Sequence, residues 1–174
     1  MSGSQGHAIA RHQQLGAQGL AGRISNEIRR GKLVRTGFDG GKKASDQIQA
    51  VTLLLNSRIG QEALGILDYC TSEVGKRLGL SQKVVLTGPV DYFRDYSSGM
   101  IAVSGRKKQG VLTLDKPVTS EAQKITIVLG SPKSSFTGPL YIITAYPNVL
   151  RGEPLEAYCI TPSWDAIRAK AGYG

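Results

Sequence analysis

Histidine and cysteine are scarce in this sequence, with two of each among 174 residues. Cys70 and Cys159 stand far apart and belong to no CxxC pair or Cys/His cluster. That spacing argues against a zinc site and leaves a disulfide open without implying one. The core must then hold without staples, which this length allows. Aromatics are also few, at 6%, but apolar residues reach 40% and charged ones 20%, so wholesale disorder is excluded. No run of eighteen apolar residues is present, so no membrane span is expected. The N-terminus carries no apolar stretch of leader type. There is no GxxxxGK[ST], no GxGxxG after a strand and no HExxH. No acidic cluster of the kind that holds two magnesium ions is visible either. The expectation is a protein with no cofactor and no metal, whose chemistry, if any, is metal-free.

Acidic residues are in short supply. Thirteen Asp and Glu face 22 Lys and Arg, which leaves a net charge of +9. Such a chain attracts polyanions at long range, whichever polyanion that is. The cations cluster. Arg29, Arg30, Lys32, Arg35, Lys42 and Lys43 fall within one short segment, and Arg106-Lys107-Lys108 form a second run.

The hydropathy pattern changes type near residue 80. Before it the sequence reads as helical. Residues 5–30 form one broken helix or two short ones, because Gly16, Gly19 and Gly22 each weaken a helix interior by about 1 kcal/mol relative to Ala. Gly31 is a stop signal, and residues 36–41 read as a loop. Residues 42–58 read as an amphipathic helix through Ala44, Ile48, Val51 and Leu55, and 61–78 as another through Leu64, Leu67, Val74 and Leu78. After residue 80 come short β-rich runs: Lys83–Thr87, Gly99–Ser104, Gly110–Leu114, Lys124–Leu129 and Pro139–Tyr146. Residues 105–109 are expected to be a hairpin loop, and Pro147 to end its strand. A short helix is expected near 164–171. Helices first and an antiparallel sheet afterwards define an α+β fold.

Histidine is the side chain suited to proton transfer near neutrality, and this chain has only His7 and His12, both in Gly-His-Ala-Ile-Ala-Arg-His. Arg23 follows His12 by eleven residues, which at about 100° per residue returns to within about 20° of the same helical face. An imidazole beside a guanidinium suits phosphate chemistry: one moves a proton, the other holds two oxygens. Late in the chain, Tyr141-Ile-Ile-Thr-Ala-Tyr-Pro147 reads as a central strand. Alternation puts Ile142, Thr144 and Tyr146 on one face, where two hydroxyls could hydrogen-bond a phosphate.

These residues together resemble the RNase A-like C-terminal toxin domains of contact-dependent growth inhibition proteins. The likeness rests on Gly6 to His12, Arg23, the Gly37-Phe38-Asp39 loop, the helix from Lys42 to Leu55, and Thr144-Ala-Tyr-Pro147. It implies N-terminal helices packed on a mostly antiparallel sheet, with a toxin domain over residues 1–150. Residues 151–174 would form a tail packing on the same domain. It also implies metal-independent RNA cleavage, with tRNA the expected substrate, by 2′-OH attack to leave a 2′,3′-cyclic phosphate. His12, Arg23, Thr144 and Tyr146 would be catalytic. Arg29, Arg30, Lys32, Lys42, Lys43, Arg106, Lys107 and Lys108 would grip RNA. A larger delivery protein upstream would carry the domain to the cell surface or outside, to act in the target-cell cytoplasm, and an acidic immunity protein would neutralise it. Two alternatives remain: a tRNA-cleaving toxin of the barnase/EndoU/colicin fold group, and a non-catalytic basic RNA-binding module.

Overall fold

The computed structural model describes residues 16–38, 45–89, 99–122, 124–130, 141–148 and 159–173. Among these residues the chain is a mixed α+β protein with five helices and two antiparallel sheets. Helix α1 (Gly16–Glu27) runs unbroken through Gly19 and Gly22. Its weak propensity is overcome by packing, because Leu20, Ile24 and Ile28 recur every four residues and are buried to 2% exposure or less. The helix ends before Gly31, which instead opens strand β1 (Gly31–Phe38). Sequence patterning gave no strand there and put a loop from residue 36. The strand exists because of a non-local partner: it pairs in full with β3 (Gly99–Lys108), from Gly31 opposite Lys107 to Phe38 opposite Met100.

Helix α2 (Ser45–Asn56) buries Gln47, Ala50, Val51 and Leu54, whereas Ile48 is 53% exposed. The buried face is thus rotated from the expected one. Helices α3 (Arg58–Thr71) and α4 (Glu73–Arg77) replace the single helix expected over 61–78. Ser57 and Ser72 cap them, each accepting a hydrogen bond from the amide three residues on, Gly60 and Gly75. The break at Ser72 leaves Val74 exposed rather than on the apolar stripe.

The first sheet has the order β1-β3-β4, with β4 spanning Val111–Leu114, and β5 (Val118–Glu121) also pairs β3. The β3–β4 turn is only two residues, Gln109 and Gly110, both at positive φ, which matches the twist of the flanking strands. Arg106, Lys107 and Lys108 are therefore strand residues, not loop residues. The second sheet has the order β7-β6-β2-β8: Tyr141–Asn148, Lys124–Gly130, Lys83–Pro89 and Cys159–Thr161. Among the described strands β7 is an edge strand, not a central one. It continues through Pro147, which pairs Ile125, because an edge tolerates a residue with no amide hydrogen.

The main core lies between the second sheet and helices α2, α3 and α5 (Trp164–Lys170). Leu54, Ile66, Leu86, Ile125, Ile127 and Leu129 are its largest buried side chains. A smaller core of Leu20, Ile24, Ile28, Ile101 and Val103 joins α1 to the first sheet. There Gly105 is required by close approach: a Cβ would meet Ile24 Cγ2 at 2.7 Å. Phe38, Met100 and Ala122 carry the first sheet into the main core. Edges β1 and β7 lie alongside, and the Thr36 hydroxyl donates to the Pro147 carbonyl at 2.7 Å.

Candidate functional site

The pairing of β1 with β3 merges basic segments that are far apart in the sequence. Lys32 stands directly opposite Arg106, and Gly31 opposite Lys107. Arg29 and Arg30 lie just before β1, and Lys108 ends β3. Six cations thus gather at one end of the first sheet. Among the described residues none of the six is ion-paired. Like charges directly opposite on neighbouring strands destabilise a sheet, so the arrangement costs stability in the absence of an anion.

At the C-terminal end of α1, next to this basic cluster, the cations are compensated. Arg23 donates to Glu27 Oε1 through Nε and Nη2, both at 3.2 Å. Arg35, on the β1 face that α1 covers, donates to Glu27 Oε2 at 2.6 Å. One carboxylate therefore bridges two guanidinium groups. Partial burial alone would raise the Glu27 carboxyl; the Arg35 hydrogen bond and the charges of Arg23 and Arg35 outweigh it and hold it below its ordinary value. The neighbour of Arg35 on β1, Thr36, carries the hydroxyl that binds the Pro147 carbonyl. The Arg23–Glu27–Arg35 cluster is so tied, through one residue of strand, to the C-terminal end of β7.

Strand β7 holds the two expected hydroxyls. A bulge sits between Thr144, opposite Val128, and Ile142, opposite Leu129. The extra residue, Ile143, packs on Gly130, where a Cβ would meet its Cδ1 at 2.7 Å. The bulge breaks the alternation: Ile142 turns to the core with Ala145, while Thr144 and Tyr146 remain on the opposite face. That corrects the expectation that Ile142 shares the Thr144 face. Tyr146 stands opposite Thr126, whose hydroxyl lies 3.0 Å from that of Thr87 on β2. The second face of this sheet is therefore rich in hydroxyls. Two features of it are unusual. The Thr144 hydroxyl is buried without a hydrogen-bond partner. Lys124, on the same face, is only 4% exposed, and no hydrogen bond or ion pair of its side chain exists among the described residues. Its cross-strand neighbours are Asn148 and Pro89, neither of them acidic. On the core side, Gln47 of α2 reaches across to donate to the Ala145 carbonyl at 3.0 Å, between the two hydroxyl-bearing residues.

The structure thus unites Arg29, Arg30, Lys32, Arg106, Lys107 and Lys108, and separately Thr144 with Tyr146. Arg35 and Thr36 tie Arg23 toward the latter pair. His12, Lys42 and Lys43 lie outside the described residues, as does His7. Sequence reasoning missed Lys124, Glu27 and Gln47. Lys124 alternates with the apolar Ile125, Ile127 and Leu129, so it reads as solvent-facing; only the covered second face makes it notable. Among the described residues no group of three His, Cys, Asp or Glu side chains gathers as a metal site, and no helix is long and apolar enough to cross a membrane. No family model matches the chain, and no curated protein or solved structure matches it.

Proposed function

We propose that this protein is a ribonuclease toxin domain of RNase A-like type that cleaves RNA, with tRNA as the favoured substrate, without a metal. The observation that supports it best is the basic end of the first sheet. Lys32 and Arg106 are held face to face with no counter-charge among the described residues, an arrangement that a phosphate backbone relieves. The hydroxyl face on β7 supplies the second element. In this reading His12 takes the proton from the ribose 2′-OH, which attacks the adjacent phosphorus. The P–O bond to the leaving 5′-oxygen breaks, and a 2′,3′-cyclic phosphate remains. Thr144 and Tyr146 donate to the phosphate oxygens, and Tyr146 can protonate the leaving oxygen. Arg23 steadies the extra negative charge of the transition state, a service worth roughly 3–4 kcal/mol per preorganised donor. A larger protein delivers the domain into the cytoplasm of a target cell, and an acidic immunity protein covers the basic surface in the producer.

The test is incubation of the purified chain with total tRNA in excess EDTA, followed by mapping of fragment ends. Cleavage with cyclic-phosphate termini is expected, lost in His12→Ala and Tyr146→Phe with RNA binding retained. Activity that vanishes with chelator overturns the mechanism. The engagement of Arg23 with Glu27 favours a second reading, a non-catalytic basic RNA-binding module. Under it the same assay yields bound but intact tRNA.

A further inference from the structure

We infer that the second face of the β7-β6-β2-β8 sheet holds a phosphate-binding site centred on Tyr146, with Lys124 as its cation and Thr144 as its unspent hydroxyl donor. As a site for the scissile phosphate of RNA it rests on the proposed function; as an anion site it does not. The argument starts from register. Lys124, Thr126 and Val128 share one face of β6, and Asn148, Tyr146 and Thr144 stand opposite them in turn. An anion seated over the Tyr146–Thr126 pair therefore has Lys124 on one side and Thr144 on the other, each about 7 Å of strand away. A lysine arm spans most of that distance.

Burial supplies the second step. Lys124 is 4% exposed with no side-chain partner among the described residues, and the Thr144 hydroxyl is buried with no partner, which is expensive. Both sit on one face, one residue pair to either side of Tyr146. Among the described residues no cross-strand neighbour answers either of them: Asn148 and Pro89 flank Lys124, and Val128 faces Thr144. A single tetrahedral anion answers both, accepting from the ammonium and from the hydroxyl. The bulge at Ile143 lies beyond these pairs, so Lys124, Tyr146 and Thr144 share their face through the regular register alone, and the bulge turns Ile142 to the core. In RNA cleavage Lys124 would then touch the reacting phosphate and offset the charge that develops on its oxygens.

The experiment titrates inorganic phosphate, against chloride at equal ionic strength, into the wild-type chain and into Lys124→Gln, Lys124→Arg, Thr144→Val and Lys32→Gln/Arg106→Gln variants. Binding is read by calorimetry and by the thermal shift. Saturable binding is expected in the wild type, weakened at least tenfold in Lys124→Gln, and weakened severalfold in Thr144→Val. It should be largely kept in Lys124→Arg and in the Lys32/Arg106 variant. Without phosphate, Thr144→Val should melt no lower than the wild type, since it removes a buried hydroxyl that lacks a partner. Equal phosphate affinity in wild type and Lys124→Gln, or no saturable binding at all, overturns the site. If Lys124→Gln fails to fold, Thr144→Val decides, because unchanged affinity there also overturns it. A second arm measures tRNA cleavage: Lys124→Gln should lose about 10²–10³ in kcat with little change in KM. A wild-type chain that binds phosphate yet leaves RNA intact refutes the nuclease reading and keeps the anion site. A chain that cleaves RNA with Lys124→Gln at full rate refutes the site and keeps the nuclease.

Discussion

Replacing Lys32 and Arg106 together by Gln tests the basic end of the first sheet. The two residues face each other across β1 and β3, and with Arg29, Arg30, Lys107 and Lys108 they make six cations that have no ion pair among the described residues. If all six contact phosphates of single-stranded RNA, log K falls against log salt with a slope of about −4.2, taking about −0.7 per contact. Removing two leaves about −2.8. Between 50 and 200 mM salt the wild type should then lose roughly 300-fold in affinity, and the variant only about 50-fold. Stability should move the other way. Relieving one like-charge pair directly opposite in a sheet raises it by about 0.2–1 kcal/mol. Fluorescence anisotropy with a labelled RNA oligonucleotide, repeated across salt, measures the slope, and urea denaturation measures the stability. A slope that is unchanged by the substitution, or a wild-type affinity indifferent to salt, refutes the assignment of this surface to a nucleic-acid backbone.

Three further outcomes are expected. Glu27→Gln should cost less than about 1 kcal/mol at pH 7, since the pairs with Arg23 and Arg35 are partly exposed. Because the native carboxyl lies below its ordinary value, that contribution is present above the unfolded pKa and is lost as the pH falls through the native one. Urea titrations of both proteins at pH 7 and pH 3 should converge at the acid end; divergence there refutes the bridge. Gln47→Ala should cost about 1–3 kcal/mol, because the buried Ala145 carbonyl loses its donor, and it should lower RNA cleavage by loosening the backbone between Thr144 and Tyr146. Equal kcat in this variant and the wild type contradicts the positioning role. Gly60→Ala should destabilise by the upper part of roughly 1–3 kcal/mol, as its Cβ would run into the Leu54 and Leu55 carbonyls where α2 meets α3. Thermal melting checks it, and a neutral result shows that the helix junction can shift.

The α+β class and most helices and strands were legible because they depend on local periodicity. The alternation of Ile125, Ile127 and Leu129 reads as a strand with one covered face, and the structure covers both. What escaped was non-local. Strand β1 has no clean alternation of its own, and it exists because β3 lies beside it. The placement of Arg106 to Lys108 in a strand turned on one detail, a two-residue turn at Gln109-Gly110, that a five-residue polar run conceals. The bulge at Ile143 has no sequence signature, yet it decides which side chains accompany Thr144. Of the site, Thr144 and Tyr146 were readable from their spacing. Lys124 was not, because burial of a lysine is a property of whatever covers the sheet.

The proline in β7 has one more consequence. In an extended strand the nitrogen and the carbonyl of a residue point to the same side, and the Pro147 carbonyl reaches outward to Thr36. The nitrogen beside it has no hydrogen to offer. At that position the β7 edge can accept a hydrogen bond but cannot donate one, and the Thr36 side chain from the first sheet fills the acceptor.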